Sequence, residues 1–94
     1  MLYLECDVLK GAGLRDSDVI AEVTDHSGVK EQIQVEKSFL EQRGGRYFLP
    51  VWGLTQDHAN KLAEVELPLE AASGTNRIWV ASNQLFYQKE EVPA

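Results

Sequence analysis

Alternation of apolar and polar residues with a period of two recurs along this chain, and it restricts the available folds more than any other feature. In LYLECDVL (2–9), Leu2, Leu4, Cys6 and Val8 fall on one face, with Tyr3, Glu5 and Asp7 on the other. Successive side chains of a strand point to opposite faces, so the pattern predicts a strand with one buried and one wet face. VIAEVT (19–24) turns Val19, Ala21 and Val23 inward, and AEVELPLE (63–70) does the same with Ala63, Val65 and Leu67. In VKEQIQVE (29–36) the inward row is Val29, Ile33 and Val35. Glu31 interrupts that row, which fits either the open end of a hairpin or a bulge.

Turn-forming residues separate these stretches. KGAGLRDSD (10–18) reads as a loop, and DHSG (25–28) as a four-residue hairpin loop in which Gly28 supplies a positive φ. In KSFLEQRGG (37–45), Ser38 and Glu41 have capping-box spacing and Gly44 or Gly45 can end a helix. The expectation there is at most two helical turns, or a single 3₁₀ turn. RYFLPVW (46–52) reads as a strand that Pro50 confines to an edge or a bulge, because proline donates nothing to a ladder. TQDHANKL (55–62) suits a short helix capped by Thr55, AASGTN (71–76) is a turn, and RIWVA (77–81) is a further strand. SNQLFYQ closes the pattern as a short strand or one turn.

About six short strands with tight turns imply a mainly β domain, a small antiparallel β-barrel or curled sheet of SH3-like or OB-like form. Closure into a barrel would remove most of the edges that an open six-stranded sheet exposes. An α+β layout, with short helices packed on one face, is the alternative. The 94 residues suit a single domain over 1–88, followed by a disordered tail at 89–94.

Fifteen acidic residues against nine basic ones give a net charge of −6, which repels polyanions at long range. Nucleic acid and anionic membranes are accordingly disfavoured partners. No stretch approaches the roughly 20 apolar residues of a spanning helix, and the N-terminus lacks a secretory apolar region. Cys6 is the lone cysteine, which points to a reducing, cytoplasmic setting.

Two segments carry the residue types that make interfaces. RGGRYFLPVWGL (43–54) combines Arg46, Tyr47, Phe48 and Trp52, and NRIWV (76–80) contains Arg77 and Trp79. Tryptophan and arginine are enriched at interface hot spots. Their use depends on direction: if Leu49 and Val51 face the core, Phe48 and Trp52 lie outward beside Arg46. Likewise, if Ile78 and Val80 are core, Arg77 and Trp79 share the outer face. The plainer reading makes the aromatics core and pairs Arg77 with Glu64 or Glu66.

Catalytic patterns are weak. Cys6 falls on the apolar face, His26 in a hairpin loop, and His58 beside Asp57 in a spacing that does not bring the two together. The pairs Glu5/Asp7 and Glu64/Glu66 each share a strand face, an arrangement that usually marks a solvated surface. Neither a metal site nor a cofactor motif emerges. The expectation is a non-enzymatic interaction or accessory module that binds a protein or peptide through Arg46, Tyr47, Phe48, Trp52, Arg77 and Trp79. Two alternatives are single-stranded nucleic-acid binding through 43–52 and homo-oligomerisation through an exposed edge.

Overall fold

A computed structural model describes residues 1–11 and 14–88. The middle of the expected 10–18 loop and the expected tail at 89–94 lie outside the described residues. Eight strands form: β1 (Leu2–Leu9), β2 (Asp18–Thr24), β3 (Lys30–Glu36), β4 (Glu41–Arg43), β5 (Arg46–Asp57), β6 (Leu62–Glu66), β7 (Arg77–Ala81) and β8 (Leu85–Tyr87). Two 3₁₀ turns, Lys37–Phe39 and Ser82–Gln84, interrupt them. All pairings are antiparallel, in the order β3-β2-β1-β5-β6-β7, with β4 added to β5 and β8 to β1. The result is one curled sheet forming a half-barrel. This is the expected curled-sheet architecture rather than the α+β alternative. Among the described residues no helix is long and apolar enough to cross a membrane.

The concave face is the core, and the period-two rows identify most of it. Leu4, Cys6, Val19, Ala21, Val23, Ile33, Val35, Leu49, Val51, Val65, Leu67, Ile78 and Val80 pack there, joined by Ala71 from the β6–β7 connection. The inward row of β3 differs from expectation at two places. Val29 lies in the hairpin loop and is exposed, whereas Glu31 is 8% exposed and occupies the inward row. Pairing from Asp18↔Glu36 to Thr24↔Lys30 is regular, so there is no bulge here. Glu31 is tolerated because its carboxylate accepts a hydrogen bond from the Ser73 hydroxyl. A buried acid without such a partner is costly.

At 37–45 the single 3₁₀ turn forms, followed by strand, whereas the helix expected at 55–62 is replaced by strand and turn. No Ser38 cap forms, and residues 37–39 make only a 3₁₀ turn before β4. Gly44 and Gly45 both have positive φ, 56° and 79°, and join β4 to β5 as a two-residue hairpin turn. Two consecutive positive φ angles match the right-handed twist of the flanking strands, the geometry that favours glycine. At 55–62, β5 runs through Asp57 and a turn follows. Asp57 accepts from the side chain and backbone N–H of Asn60, which holds its carboxyl below the usual range, and Lys61 turns the chain with φ 55°.

Pro50 is neither on an outer edge nor in a bulge. Its strand has β1 along one side, while the other side passes from β4 at Phe48 to β6 at Trp52. The two-residue turn makes Arg43↔Arg46 the hydrogen-bonded closing pair, so the backbone groups of 46, 48, 50 and 52 face that second side. Proline therefore sits at the break between two partners, where its missing N–H removes no ladder bond. The register shift in β5 comes later, between Gly53 and Thr55.

The open ends of the sheet are held by backbone contacts from loops. The Ala72 N–H donates to the Gln32 carbonyl of β3 at 2.8 Å, and the His26 N–H donates to the Trp79 carbonyl of β7 at 2.8 Å. Because Ser73 satisfies Glu31 at the same seam, Ser73→Ala should lower stability by about 1–3 kcal/mol in urea denaturation, with Ser73→Thr close to wild type.

Candidate functional site

The direction of the aromatics follows from the core. Leu49 and Val51 are buried and Tyr47 packs against the core, so Arg46, Phe48, Pro50 and Trp52 project from the convex side of β5. Ile78 and Val80 are buried on β7, which turns Arg77 and Trp79 the same way. Their surroundings divide the six sequence candidates into two groups.

Phe48 belongs to a second small cluster. Its ring lies 5.7 Å from that of Phe86, which in turn lies 6.4 Å from Tyr3, and the Arg43 guanidinium sits 5.0 Å above Phe86. Arg43 also meets Glu41 at 3.5 Å, and Arg46 meets Glu5 at 3.3 Å. These are exposed pairs of small energetic worth, but they place a carboxylate beside each arginine. Tyr47 thus faces the core, away from Arg46 and Phe48, and these two meet Glu5 and Phe86.

Trp52 lies in a different environment, four residues and about 13 Å further along the strand. Directly across from it on β6 is Glu66, and across from Glu66 on β7 is Arg77. Residues opposed in this way share a face, so Trp52, Glu66 and Arg77 form one cross-strand row. Glu64 and Trp79 form part of the next row, with Trp79 half-buried. The structure therefore gathers Trp52, Arg77 and Trp79 on the β5–β6–β7 face and leaves Arg46, Tyr47 and Phe48 elsewhere.

Beside Trp52 is a groove of about 350 Å³ lined by Val35, Glu36, Phe39, Trp52, Pro68 and Leu69. It opens where β5 changes partners: the chain enters β4 from Phe39 on one side and leaves β6 through Pro68 on the other. Phe39, Trp52 and Leu69 are 46%, 55% and 54% exposed. Three large apolar side chains half in water around one depression is an arrangement typical of interaction sites. Phe39 stands outside the alternating runs, in a 3₁₀ turn; Leu69 has the parity of the inward row of 63–70, but β6 ends at Glu66 and leaves it exposed in a loop. The available signal at Leu69 was Pro68, which donates nothing to a ladder and marks the end of the strand before it.

A second depression lies along the β1 edge between β8 and β2, bounded by Glu5, Cys6, Asp7, Glu22, Thr24, Asn83 and Gln84. Gln84 spans it, donating to the Thr24 carbonyl and accepting from the Ala81 N–H, both at 2.8 Å. Burial pushes the Cys6 thiol up to about 12 from an ordinary 9.0, and the Asp7 and Glu5 carboxylates add to the rise. Such a thiol is packing rather than a nucleophile. His58 is exposed, and among the described residues no three potential ligating side chains cluster to hold a metal.

Comparison of the chain with protein-family models, with curated proteins and with solved structures finds no match.

The two tryptophans should separate spectroscopically. With Trp79→Phe, emission from Trp52 should be red-shifted and readily quenched by iodide. With Trp52→Phe, emission from the half-buried Trp79 should be bluer and less quenched. Equal quenching would contradict the placement.

Cys6 gives a pH test. Its folded pKa lies above its unfolded value, so its contribution to stability is intact below pH 9 and is lost as pH rises from 9 towards about 12. Over that window wild type should lose stability more steeply than Cys6→Ala, read as the difference in urea midpoints.

Proposed function

We propose that this chain is a non-enzymatic interaction module that binds a protein or peptide through the Phe39–Trp52–Leu69 groove and the adjoining row of Glu66 and Arg77. The observation that carries this reading is the convergence of three half-exposed, large apolar side chains on one depression. Burying the exposed parts of these side chains supplies affinity at about 25 cal/mol per Å² of apolar surface, before the cost of association. Glu66 and Arg77 beside Trp52 add hydrogen-bonding groups that can fix orientation. The buried thiol of Cys6 suits a reducing, cytoplasmic setting.

A binding role without catalysis fits the states of the reactive groups. Cys6 is held protonated, and Glu5 of the Glu5/Asp7 pair is engaged by Arg46. Single-stranded nucleic-acid binding through 43–52 has less support. Arg43 and Arg46 each sit beside a carboxylate, Tyr47 turns inward, and Trp52 is bordered by Glu36 and Glu66. Phosphates approaching this segment meet carboxylates as well as guanidinium groups.

Selection of a displayed random-peptide library against the folded protein tests the reading. Selected peptides should share a large apolar residue, and Trp52→Ala with Leu69→Ala should weaken their binding by about tenfold or more while the far-ultraviolet circular dichroism is unchanged. Peptides that bind wild type and the double variant equally would overturn it.

A further inference from the structure

The groove adjoins a strand edge with free hydrogen-bonding groups. The hairpin of β2 and β3 begins with the Asp25 N–H donating to the Val29 carbonyl at 2.9 Å. At its far end the Lys37 N–H donates to the Ser17 carbonyl at 2.8 Å. These bonds fix the sense of the ladder: odd-numbered residues of β3 direct their backbone groups to β2, and even-numbered residues direct theirs away. The Ala72 N–H reaching the Gln32 carbonyl from outside agrees with that assignment. Gln34 therefore presents N–H and C=O, and Glu36 its N–H, to the outer edge, while the Glu36 carbonyl starts the 3₁₀ turn of Lys37–Phe39. The Gln34 side chain is turned back across the sheet to Asp18, at 3.1 Å, and does not cover the edge.

Resting on the binding role proposed above, we infer that the partner is an extended peptide segment bearing lysine or arginine. It adds as a short strand to the Gln34–Glu36 edge of β3 and places one apolar side chain in the Phe39–Trp52–Leu69 groove. An added strand takes its affinity from main-chain hydrogen bonds and its selectivity from pockets for alternate side chains, and here edge and pocket share Glu36. The loop contact at Gln32 limits the new strand to the end of β3 beside the groove.

Charge decides the chemistry of the occupant. Glu36 lines the groove, Glu66 stands beside Trp52, neither has an ion-pair partner within 4 Å among the described residues, and the chain carries −6. A cationic segment gains from Glu36 at the edge, while Arg77 directly across from Glu66 offsets part of the second carboxylate. A second copy of this chain brings another −6 and another Glu36 to the same edge, which disfavours self-pairing.

Gln34→Pro removes the outward N–H at residue 34 and leaves the bonds to β2 in place, and Gln34→Ala removes the side chain alone. For a library-selected peptide, Gln34→Pro should weaken binding by about tenfold and Gln34→Ala by less than about twofold. N-methylation along the peptide should weaken binding only at alternate positions, and this series decides the matter even if Gln34→Pro fails to fold. Indifference to both Gln34→Pro and N-methylation, with sensitivity to Trp52→Ala and Leu69→Ala retained, overturns strand addition and leaves the groove reading standing. Indifference to all of these overturns both. Selected peptides without lysine or arginine overturn the charge assignment. A dimer in sedimentation equilibrium that Gln34→Pro converts to monomer overturns the peptide in favour of a second copy.

Discussion

The ladder between β1 and β5, running from Leu2↔Val51 to Cys6↔Tyr47, joins the two arms of the curled sheet. One arm reaches it through β2 on β1, and the other through β6 on β5. Each of these central strands exchanges partners along its far side, β1 from β8 to β2 and β5 from β4 to β6. Such an exchange lets short strands surround a long one, and it lets the sheet curve tightly enough to cover a core with one face. It also leaves a break at each exchange. At β1 the break is spanned by the Gln84 side chain. At β5 it is occupied by a residue that needs no partner for its nitrogen, Pro50, and the apolar groove opens beside it.

Closure of the half-barrel is of a different kind. No ladder joins β3 to β7; the seam is held by Ala72 on Gln32, His26 on Trp79 and Ser73 on Glu31. A loop contact satisfies one or two groups where a strand satisfies a row, and the end of β3 is left with backbone donors and acceptors in solvent. Exposed edges of this kind invite pairing, and short length and charge are the usual protection. Here Lys30 and Glu36 flank the edge and the Gln32 contact shortens it. Those same features admit a cationic segment more readily than a second copy of an acidic chain.

Alternation made most of the core legible in the sequence, because burying one face of a sheet forces every second residue inward. It succeeded for Leu4 and Cys6, for Val19 to Val23, and for Ile78 and Val80. It failed at Val29, which lies beyond the last ladder pair, and at Glu31, whose burial depends on a serine 42 positions away. The longer helical turn expected at 37–45, where only the 3₁₀ turn forms, and the helix expected at 55–62 rested on local signals, Ser38 with Glu41 and Thr55 with Asp57. A capping interaction is worth about 1 kcal/mol, and segments of this length gain little helix to offset nucleation. Pairing with β5 and β6 offered more. Gly44 and Gly45 were legible as turn formers but not as the tip of a hairpin, because that role exists only once Glu41–Arg43 is a strand.

Position along β5 separates Trp52 from Phe48, although both project from one side of the same strand. Phe48 stands where β8 brings Phe86 against it, with Arg43 from β4 over the Phe86 ring, so its ring is partly covered by the fold's own residues. Trp52 stands past the break, where β4 has ended and β6 has just begun, and the residues that meet it, Phe39 and Leu69, are themselves exposed. Packing within the chain thus exhausts the first aromatic cluster and leaves the second with apolar surface uncovered. Arginine follows the same division: Arg43 and Arg46 sit beside carboxylates near Phe48, whereas Arg77 has no ion-pair partner within 4 Å among the described residues and lies in the row of Trp52. What distinguishes the proposed binding face from the rest of the surface is therefore not its residue types, which occur on both, but the lack of covering partners among the described residues. That difference arises from the point on β5 at which one neighbouring strand gives way to the next.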